Sequence, residues 1–377
     1  MRIALVGTVS SSIFGFRKML IQSLVSQGHD VYVFTTDLTA ELKRKAEQEL
    51  GVKARSYSLA RTGMNPISDL CAMVSLSREF GKLKLDLVFC YFSKPVIFGS
   101  LAAKLAGVSR CYGMLEGLGY YFTEEPGGDG LKKKLIRGVQ VSLFRLVAPF
   151  LNGLIVLNPD DKDDLVNKYR IKADSIFVLG GIGLCLNEYP YSPPPTTLPT
   201  FVFVGRLLAE KGINQFLGAA EVLEKRYKNV NFHVIGGLDE GNPGSVDVEY
   251  LSELHDKGVI FYSGPVSDVP LRLKASSVFV LPSYYREGVP RSIQEAMSVG
   301  RPIITTDSPG CRETVIDGVN GFLIPPHDLG GLILAMEYFI NSPECISSMG
   351  VESRKMAEER FNAIEVNERL IRFLDLK

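Results

Sequence analysis

Two glutamates occupy a short stretch whose residue types could bind hydroxyl groups and an anion. Residues 283–300 read SYYREGVPRSIQEAMSVG, with Glu287 and Glu295 eight positions apart. An apolar strand is predicted at 278–281, and Pro290 and Gly300 mark the start and the end of a helix. Because helix starts favour anions, we expect the helix start to bind a diphosphate, one glutamate to bind sugar hydroxyls and the other to bind a ribose. A general acid/base pair is the alternative.

Two cations upstream decide between these interpretations. The segment 205-GRLLAEKG-212 follows a predicted strand and carries Arg206 and Lys211. Two positive charges at a strand end can neutralise a diphosphate leaving group. The glutamates are therefore better explained as ligands for hydroxyl groups than as proton carriers. Val266, after a further predicted strand, could flank a nucleobase, and a plain turn is the competing interpretation.

The first half of the chain offers candidates for a second substrate. In the loop after the first predicted strand, Gly15 could bring the backbone close to a phosphate, and Arg17 could reach an acceptor phosphate. A helix cap and an exposed surface arginine are the alternatives. Glu116 and Gly117 lie in the aromatic, glycine-rich stretch 112–130, where a carboxylate could accept a hydroxyl hydrogen bond. An ordinary surface glutamate is the alternative.

The segment 131-LKKKLIRGVQVSLFRLVAPF-150 combines an apolar helical stripe with positive charge and contains no acidic residue. This composition is typical of a helix that lies on an anionic bilayer. We expect Lys132, Lys133, Lys134 and Arg137 to contact the membrane. A core helix with a solvated basic end is the alternative.

Apolar runs alternate with amphipathic stretches along the chain and predict an α/β fold with parallel sheets. Strands are expected at 3–7, 31–35, 86–91, 153–157, 201–205, 232–235, 259–262, 278–281 and 302–305, with a helical stretch near 351–374. The proline-rich segment 187–199 separates two such series. We therefore predict an N-terminal domain (1–186), a linker (187–199), a C-terminal domain (200–356) and a final helical segment (357–377).

Charge and composition exclude several classes of function. Lys plus Arg and Asp plus Glu both total 42 in 377 residues, which argues against a general nucleic-acid-binding protein. Residues 1–150 carry 20 basic and 12 acidic side chains, an excess of eight positive charges that suits an anionic membrane surface. The six cysteines and four histidines show no metal-ligand spacing, and no apolar run is long enough to span a membrane. We expect a cytoplasmic protein that binds no metal or cofactor and meets the inner face of the cytoplasmic membrane peripherally.

Three motifs resemble a known family. The segments 205-GRLLAEKG-212, 279-FVLPSYYREGVPRSIQEAMSVGRPII-304 and 318-GVNGFLIPP-326 resemble the family-4 retaining glycosyltransferases of the GT-B fold. The resemblance implies two Rossmann-like domains, a nucleotide-sugar donor on the C-terminal domain and a last helix that returns to the first domain. It also implies transfer without a metal ion.

The first half narrows the resemblance. The segments 11-SSIFGFR-17, 116-EGLGYYF-122 and 236-GGLDEGNPGSVDVEYL-251 are similar to bacterial PglA-like transferases. Those enzymes add an N-acetylhexosamine, often N-acetylgalactosamine, to a sugar linked to undecaprenyl diphosphate during surface-glycan assembly. The resemblance implies a UDP-sugar donor and retention of the anomeric configuration.

The resemblance also assigns roles to single residues. It places Arg206 and Lys211 on the donor diphosphate, Glu287 on the donor sugar beside the backbone of Gly288, Val289, Pro290 and Arg291, and Glu295 on the ribose. It places Val266 by the base and Gly15 by the phosphate. Rival functions are a nucleotide-sugar 2-epimerase of the same fold, a transferase with a soluble acceptor, and a non-catalytic nucleotide- or sugar-binding protein.

Overall fold

The computed structural model describes residues 1–60, 65–125, 127–239, 241–242 and 244–376. Pro126, Glu240 and Pro243, which belong to the motifs above, and Lys377 lie outside the described residues. The chain divides into two compact units. The first unit comprises Met1–Ile182 and Ala363–Lys377, and the second comprises Gly183–Asn362.

The first unit is built on a seven-stranded parallel sheet, with strand order β3-β2-β1-β4-β5-β6-β7. Its central strands consist almost entirely of buried apolar residues, as expected for a parallel sheet covered by helices on both faces. The strands are β1 (Arg2–Val6), β2 (Asp30–Thr35), β3 (Lys53–Ser56), β4 (Leu87–Tyr91), β5 (Arg110–Leu115), β6 (Gly153–Val156) and β7 (Ile176–Val178).

In the described part of the first unit, α-helices connect these strands. They are α1 (Ser11–Phe14), α2 (Lys18–Ser26), α3 (Ala40–Leu50), α4 (Pro66–Leu83), α5 (Ser100–Leu105), α6 (Leu131–Val147) and α7 (Pro159–Asp163). Caps define several helix starts. The side chains of Thr39 and Asn65 accept backbone hydrogen bonds at the first turns of α3 and α4, which satisfies N–H groups that have no intrahelical acceptor.

The second unit is built on a six-stranded parallel sheet with strand order β10-β9-β8-β11-β12-β13. The strands are β8 (Thr200–Val204), β9 (Asn231–Ile235), β10 (Phe261–Tyr262), β11 (Val278–Leu281), β12 (Ile303–Thr306) and β13 (Gly321–Ile324). The helices are α8 (Ile213–Arg226), α9 (Val248–Asp256), α10 (Val269–Lys274), α11 (Arg291–Val299), α12 (Leu329–Asn341) and α13 (Glu344–Phe361). The loops that follow β8, β9, β10 and β11 meet at one edge, because the carboxyl ends of parallel strands share an edge of the sheet.

The last helix, α14 (Ala363–Phe373), belongs to the first unit. Its Phe373 ring stacks on Phe177, with ring centroids 4.8 Å apart, and meets Tyr112 edge-on at 5.9 Å. A Cβ at Gly153 would lie 2.6 Å from the Phe373 ring, so the glycine in β6 makes room for this helix. The predicted helical stretch near 351–374 is therefore two helices, because the backbone is extended at Asn362.

The predicted fold, with two Rossmann-like parallel sheets and a C-terminal helix that returns to the first domain, is confirmed. Among the described residues, none of the helices is both long enough and apolar enough to cross a bilayer.

Candidate active site

The loop that carries Lys211 is locked to the loop that carries Glu287. Gly212 has a φ of 80°, and a Cβ there would lie 2.2 Å from the carbonyl oxygen of Pro282. The Glu210 carbonyl oxygen accepts hydrogen bonds from the backbone N–H groups of Tyr284 (2.9 Å) and Tyr285 (3.0 Å). A side chain at position 212 would therefore force the two loops apart.

This contact places Lys211 against Glu287. The Lys211 ammonium forms an ion pair with the Glu287 carboxylate, and the two side chains are only 16% and 11% exposed. The Ser283 hydroxyl lies 3.2 Å from Glu287 Oε1, and the Tyr285 ring centroid lies 5.2 Å from Lys211 Nζ. The site therefore presents a largely desolvated cation and a carboxylate whose position is fixed by its neighbours.

Arg206 has a different environment at the same edge. Its Nη1 atom donates to Asp239 Oδ2 at 2.9 Å, and the two side chains are 44% and 36% exposed. Asp239 follows β9, and Arg206 follows β8, the neighbouring strand of the sheet. Sequence reasoning did not single out Asp239, since a surface aspartate in a loop has no distinctive pattern.

Helix α11 begins directly after the Glu287 loop. Pro290 is the N-cap residue, and Gly300 ends the helix with a φ of 88°. The predicted boundaries are thus confirmed to within one residue. Gly310 packs against this loop, since a Cβ there would lie 2.3 Å from the Gly288 carbonyl oxygen, and Gln294 Nε2 donates to the Val289 carbonyl oxygen at 3.1 Å. These contacts fix the backbone at the helix start, where anions bind favourably.

Glu295 projects from α11 and is held by two donors. The Tyr189 hydroxyl (2.9 Å) and Arg291 Nε (2.8 Å) both bond to Glu295 Oε1. Burial and the negative charge of Glu295 raise the pKa of Tyr189. Burial acts to lower the pKa of Arg291, but the adjacent Glu295 carboxylate raises it overall. Tyr189 and Arg291 thus remain donors, and their two hydrogen bonds orient the Glu295 carboxyl group.

Val266 follows β10 and is partly exposed at the same edge. Gly264, two residues earlier, has a φ of 68°, and its carbonyl oxygen accepts from the Gly236 N–H at 3.0 Å. The second unit therefore gathers all the predicted donor residues except Gly15 around one sheet edge.

In the first unit, Arg17 and Glu116 form one cluster. The Arg17 guanidinium is buried, pairs with the Glu116 carboxylate and lies 4.7 Å from the ring centroid of Tyr91. The alternative of an exposed surface arginine is therefore wrong. Gly15 ends α1 two residues before Arg17. Gly117, with a φ of 102°, turns the chain directly after Glu116.

Two of the four predicted membrane contacts point elsewhere. The buried Lys133 ammonium bonds to Glu125 (2.7 Å), lies 3.4 Å from Asp129 and sits over the Tyr120 ring at 4.7 Å. Arg137 donates to Asp129 at 2.7 Å. Lys133 and Arg137 are bound by acidic residues of the preceding loop and hold that loop in place. We predicted that both side chains contact a membrane directly, but the structure directs them to this loop instead.

The outer side of α6 is apolar and basic. Leu131 and Leu135 are 87% and 69% exposed, and Val139 and Leu146 are also exposed, as is Phe150 in the turn that follows the helix. Lys132, Lys134 and Arg145 are exposed on the same helix. The apolar stripe predicted for this segment is thus divided. Its members Leu135, Val139, Leu146 and Phe150 face solvent, whereas Leu143 packs against the core and Val147 is buried in it. The core-facing side of the helix also carries Val141 and Phe144.

Two family descriptions match the chain. "Glycosyl transferases group 1" matches residues 190–359, and "Glycosyl transferase 4-like" matches residues 2–146. Each match falls within one of the two units. The first contains Arg206, Lys211, Val266, Glu287 and Glu295, and the second contains Gly15, Arg17, Glu116 and Gly117.

Curated relatives align over most of their length. The chain is 30% identical to the N,N'-diacetylbacillosaminyl-diphospho-undecaprenol alpha-1,3-N-acetylgalactosaminyltransferase of Campylobacter jejuni, over 85% of this chain and 84% of that protein. It is 29% identical to the Escherichia coli UDP-Gal:alpha-D-GlcNAc-diphosphoundecaprenol alpha-1,3-galactosyltransferase, over 79% of this chain and 77% of that protein.

Solved structures share the fold. HepE from Anabaena, in complex with UDP and glucose, aligns with a TM-score of 0.76 at 17% identity, covering 100% of this chain and 99% of that chain. A sucrose-phosphate synthase from Thermosynechococcus elongatus aligns with a TM-score of 0.78 at 17% identity, covering 100% and 98%.

Proposed function

Because the chain belongs to the family-4 glycosyltransferases of the GT-B fold, we propose that it transfers N-acetylgalactosamine from a UDP-sugar to a sugar linked to undecaprenyl diphosphate. The product is an α-linked lipid intermediate of a bacterial surface glycan. One observation carries the proposal: Arg206 and Lys211 follow β8, Glu287 follows the neighbouring strand β11, and Glu295 lies on α11, which begins directly after the Glu287 loop. The named sugars of the two curated relatives support the substrate class.

Different donor-site residues bind different parts of the nucleotide sugar. Lys211 and Arg206 bind the diphosphate together with the N-terminus of α11. Glu287, held by Ser283, accepts hydrogen bonds from the sugar hydroxyls. Glu295 receives both of its protein hydrogen bonds on Oε1, so Oε2 is the oxygen it offers to the ribose. Val266 lies by the base.

The reaction proceeds with retention of configuration. The acceptor hydroxyl oxygen attacks the anomeric carbon on the face from which UDP leaves, and the bond from that carbon to the phosphate oxygen breaks. The proton of the hydroxyl passes to the leaving phosphate. Negative charge builds up on the β-phosphate in the transition state, and Lys211 stabilises it from a partly desolvated position. The step needs no metal ion.

The acceptor is bound by the first unit. The Glu116 carboxylate, oriented by the buried Arg17, accepts a hydrogen bond from the acceptor sugar. Gly117 lets the backbone approach the sugar closely.

A lipid-linked acceptor requires contact with a membrane. The outer side of α6 supplies exposed aliphatic side chains between Lys132, Lys134 and Arg145. Apolar side chains flanked by cations bind anionic bilayers. We propose that α6 docks the protein peripherally on the inner face of the cytoplasmic membrane.

The proposal is tested with a panel of UDP-sugars and synthetic lipid-diphosphate-linked sugars, with products identified by mass spectrometry. We expect a mass increase of one N-acetylhexosamine on the lipid acceptor. An epimerised nucleotide sugar formed without acceptor would instead indicate a 2-epimerase. Transfer to free sugars alone would indicate a soluble acceptor, and nucleotide binding without turnover would indicate a non-catalytic protein.

A further inference from the structure

Described residues of the loop after β9 form backbone hydrogen bonds with the loop after β8, which carries Arg206 and Lys211. The Leu207 N–H donates to the Gly237 carbonyl oxygen at 3.1 Å, and the Val246 N–H donates to the Leu207 carbonyl oxygen at 2.9 Å. The Ala209 N–H donates to the Gly244 carbonyl oxygen at 2.7 Å. These bonds attach both ends of the β9 loop to the segment that leads from Arg206 to Lys211.

Asp239 lies in this loop and reaches Arg206. The ion pair is 2.9 Å long and more than a third of each side chain is exposed. It therefore differs from the Lys211–Glu287 pair, which is mostly buried. An exposed ion pair contributes little to stability, so fold stability alone does not account for a carboxylate at this position.

The position of Asp239 matters because of what Arg206 is expected to bind. A diphosphate that bonds to Arg206 needs guanidinium N–H groups, and Asp239 already accepts from one of the two N–H groups of Nη1. A carboxylate and a diphosphate on one guanidinium are also neighbours that repel each other.

We propose that Asp239 competes with the donor diphosphate for Arg206. The phosphates of the nucleotide displace the carboxylate from Arg206 on binding, and Asp239 takes the guanidinium back when UDP leaves. This inference rests on the proposed function, because it assumes that Arg206 binds the diphosphate. It assigns Asp239 to tuning nucleotide affinity and product release, and Asp239 takes no part in the bond-making step.

The test is calorimetric titration of UDP and UMP into the wild-type protein and three variants. Asp239→Asn removes the charge at nearly constant shape, and Asp239→Glu keeps the charge. Glu253→Gln removes one negative charge from the exposed Lys257 pair of α9 and serves as the matched control.

We expect Asp239→Asn to lower the Kd of UDP about two- to fivefold, the range that corresponds to losing one exposed ion-pair competitor. The increase in UDP affinity should be smaller at about 1 M salt, where the Debye length is roughly 3 Å. The affinity for UMP, which has no β-phosphate, should increase less than the affinity for UDP. Asp239→Glu and Glu253→Gln should bind UDP like the wild type.

Two results would overturn the inference. If the wild type binds UDP and a folded Asp239→Asn variant binds it equally or more weakly, Asp239 is not a competitor, although the proposed function stands. If the wild type does not bind UDP, the proposed function falls and takes this inference with it. Unfolding curves of all four proteins verify that the folds are comparable.

Discussion

The replacement of Lys211 by methionine probes the charge that stabilises the leaving group. Methionine keeps most of the aliphatic stem and removes the ammonium that pairs with Glu287. Loss of one preorganised donor to a developing oxyanion costs about 2.7–4 kcal/mol in the barrier, or roughly 10²–10³ in rate. The low exposure of the Lys211 ammonium places it in this range, because a charge screened by little water acts strongly.

The fold should withstand the substitution. Removing one partner of a partly buried polar pair costs about 1–3 kcal/mol of unfolding free energy, and Ser283 still lies beside Glu287. We therefore expect Lys211→Met to fold cooperatively and to turn over two to three orders of magnitude more slowly than the wild type.

The assay is initial-rate transfer from UDP-N-acetylgalactosamine to a lipid-diphosphate-linked sugar, with chemical denaturation measured on the same samples. Lys225→Met is the matched control, because Lys225 belongs to an exposed pair with Glu221 in α8. A kcat for Lys211→Met within threefold of the wild type would refute its role at the diphosphate. The role would also be refuted if the unfolded fraction of the Lys211→Met sample accounted for the whole loss of rate.

Three further predictions concern the ribose, the acceptor loop and the membrane. Glu295→Ala should weaken UDP binding about tenfold by calorimetry, with a smaller effect for Tyr189→Phe; unchanged affinity in Glu295→Ala would remove the ribose role. Burial acts to raise the pKa of Asp129, but the hydrogen bond from Arg137 and the charges of Lys133 and Arg137 lower it overall from 3.8. The ionised Asp129 carboxylate therefore stabilises the fold at neutral pH, and this stabilisation is lost as the pH falls through the lowered pKa. Asp129→Asn should therefore be less stable than the wild type at pH 7 and equally stable near pH 2, and a constant difference across this range would contradict the assignment. Leu135→Glu should reduce sedimentation with anionic vesicles severalfold without changing UDP affinity, and undiminished vesicle binding would exclude the outer side of α6.

The sequence was most informative where a residue's surroundings are local. Apolar runs placed β1, β8 and β11, because a buried parallel strand has few polar residues. Gly300 marked the end of α11, because the left-handed φ there favours glycine. The proximity of Lys211 and Glu287 followed from family motifs, although the two residues are 76 positions apart in the chain.

The sequence was least informative where the partner of a charge decides its role. Lys132 and Lys133 are adjacent in one basic run of the sequence, yet the Lys133 side chain points inward and pairs with Glu125 and Asp129. The burial of Arg17 depends on the Tyr91 ring and on Glu116, which belong to different strands or their loops. These contacts form only after the strands are ordered in the sheet, and no local pattern encodes that order.

The same reason explains the residues that sequence reasoning missed. Tyr189 lies in the segment predicted as a linker, and its hydroxyl reaches Glu295 on α11. Gly310 comes from the loop after β12 and meets Gly288. In each case the signal would have been a pairing between distant positions, which a single sequence does not contain.

The anomeric configuration of the first product shows whether the enzyme transfers the sugar with retention. Proton NMR during the reaction of UDP-α-N-acetylgalactosamine with a lipid-diphosphate-linked sugar distinguishes the α-linked product from the β-linked one as it forms. We expect an α-linked product that appears only with acceptor and at a rate that falls sharply in Lys211→Met. A β-linked product, or turnover of the nucleotide sugar without acceptor, would contradict this expectation.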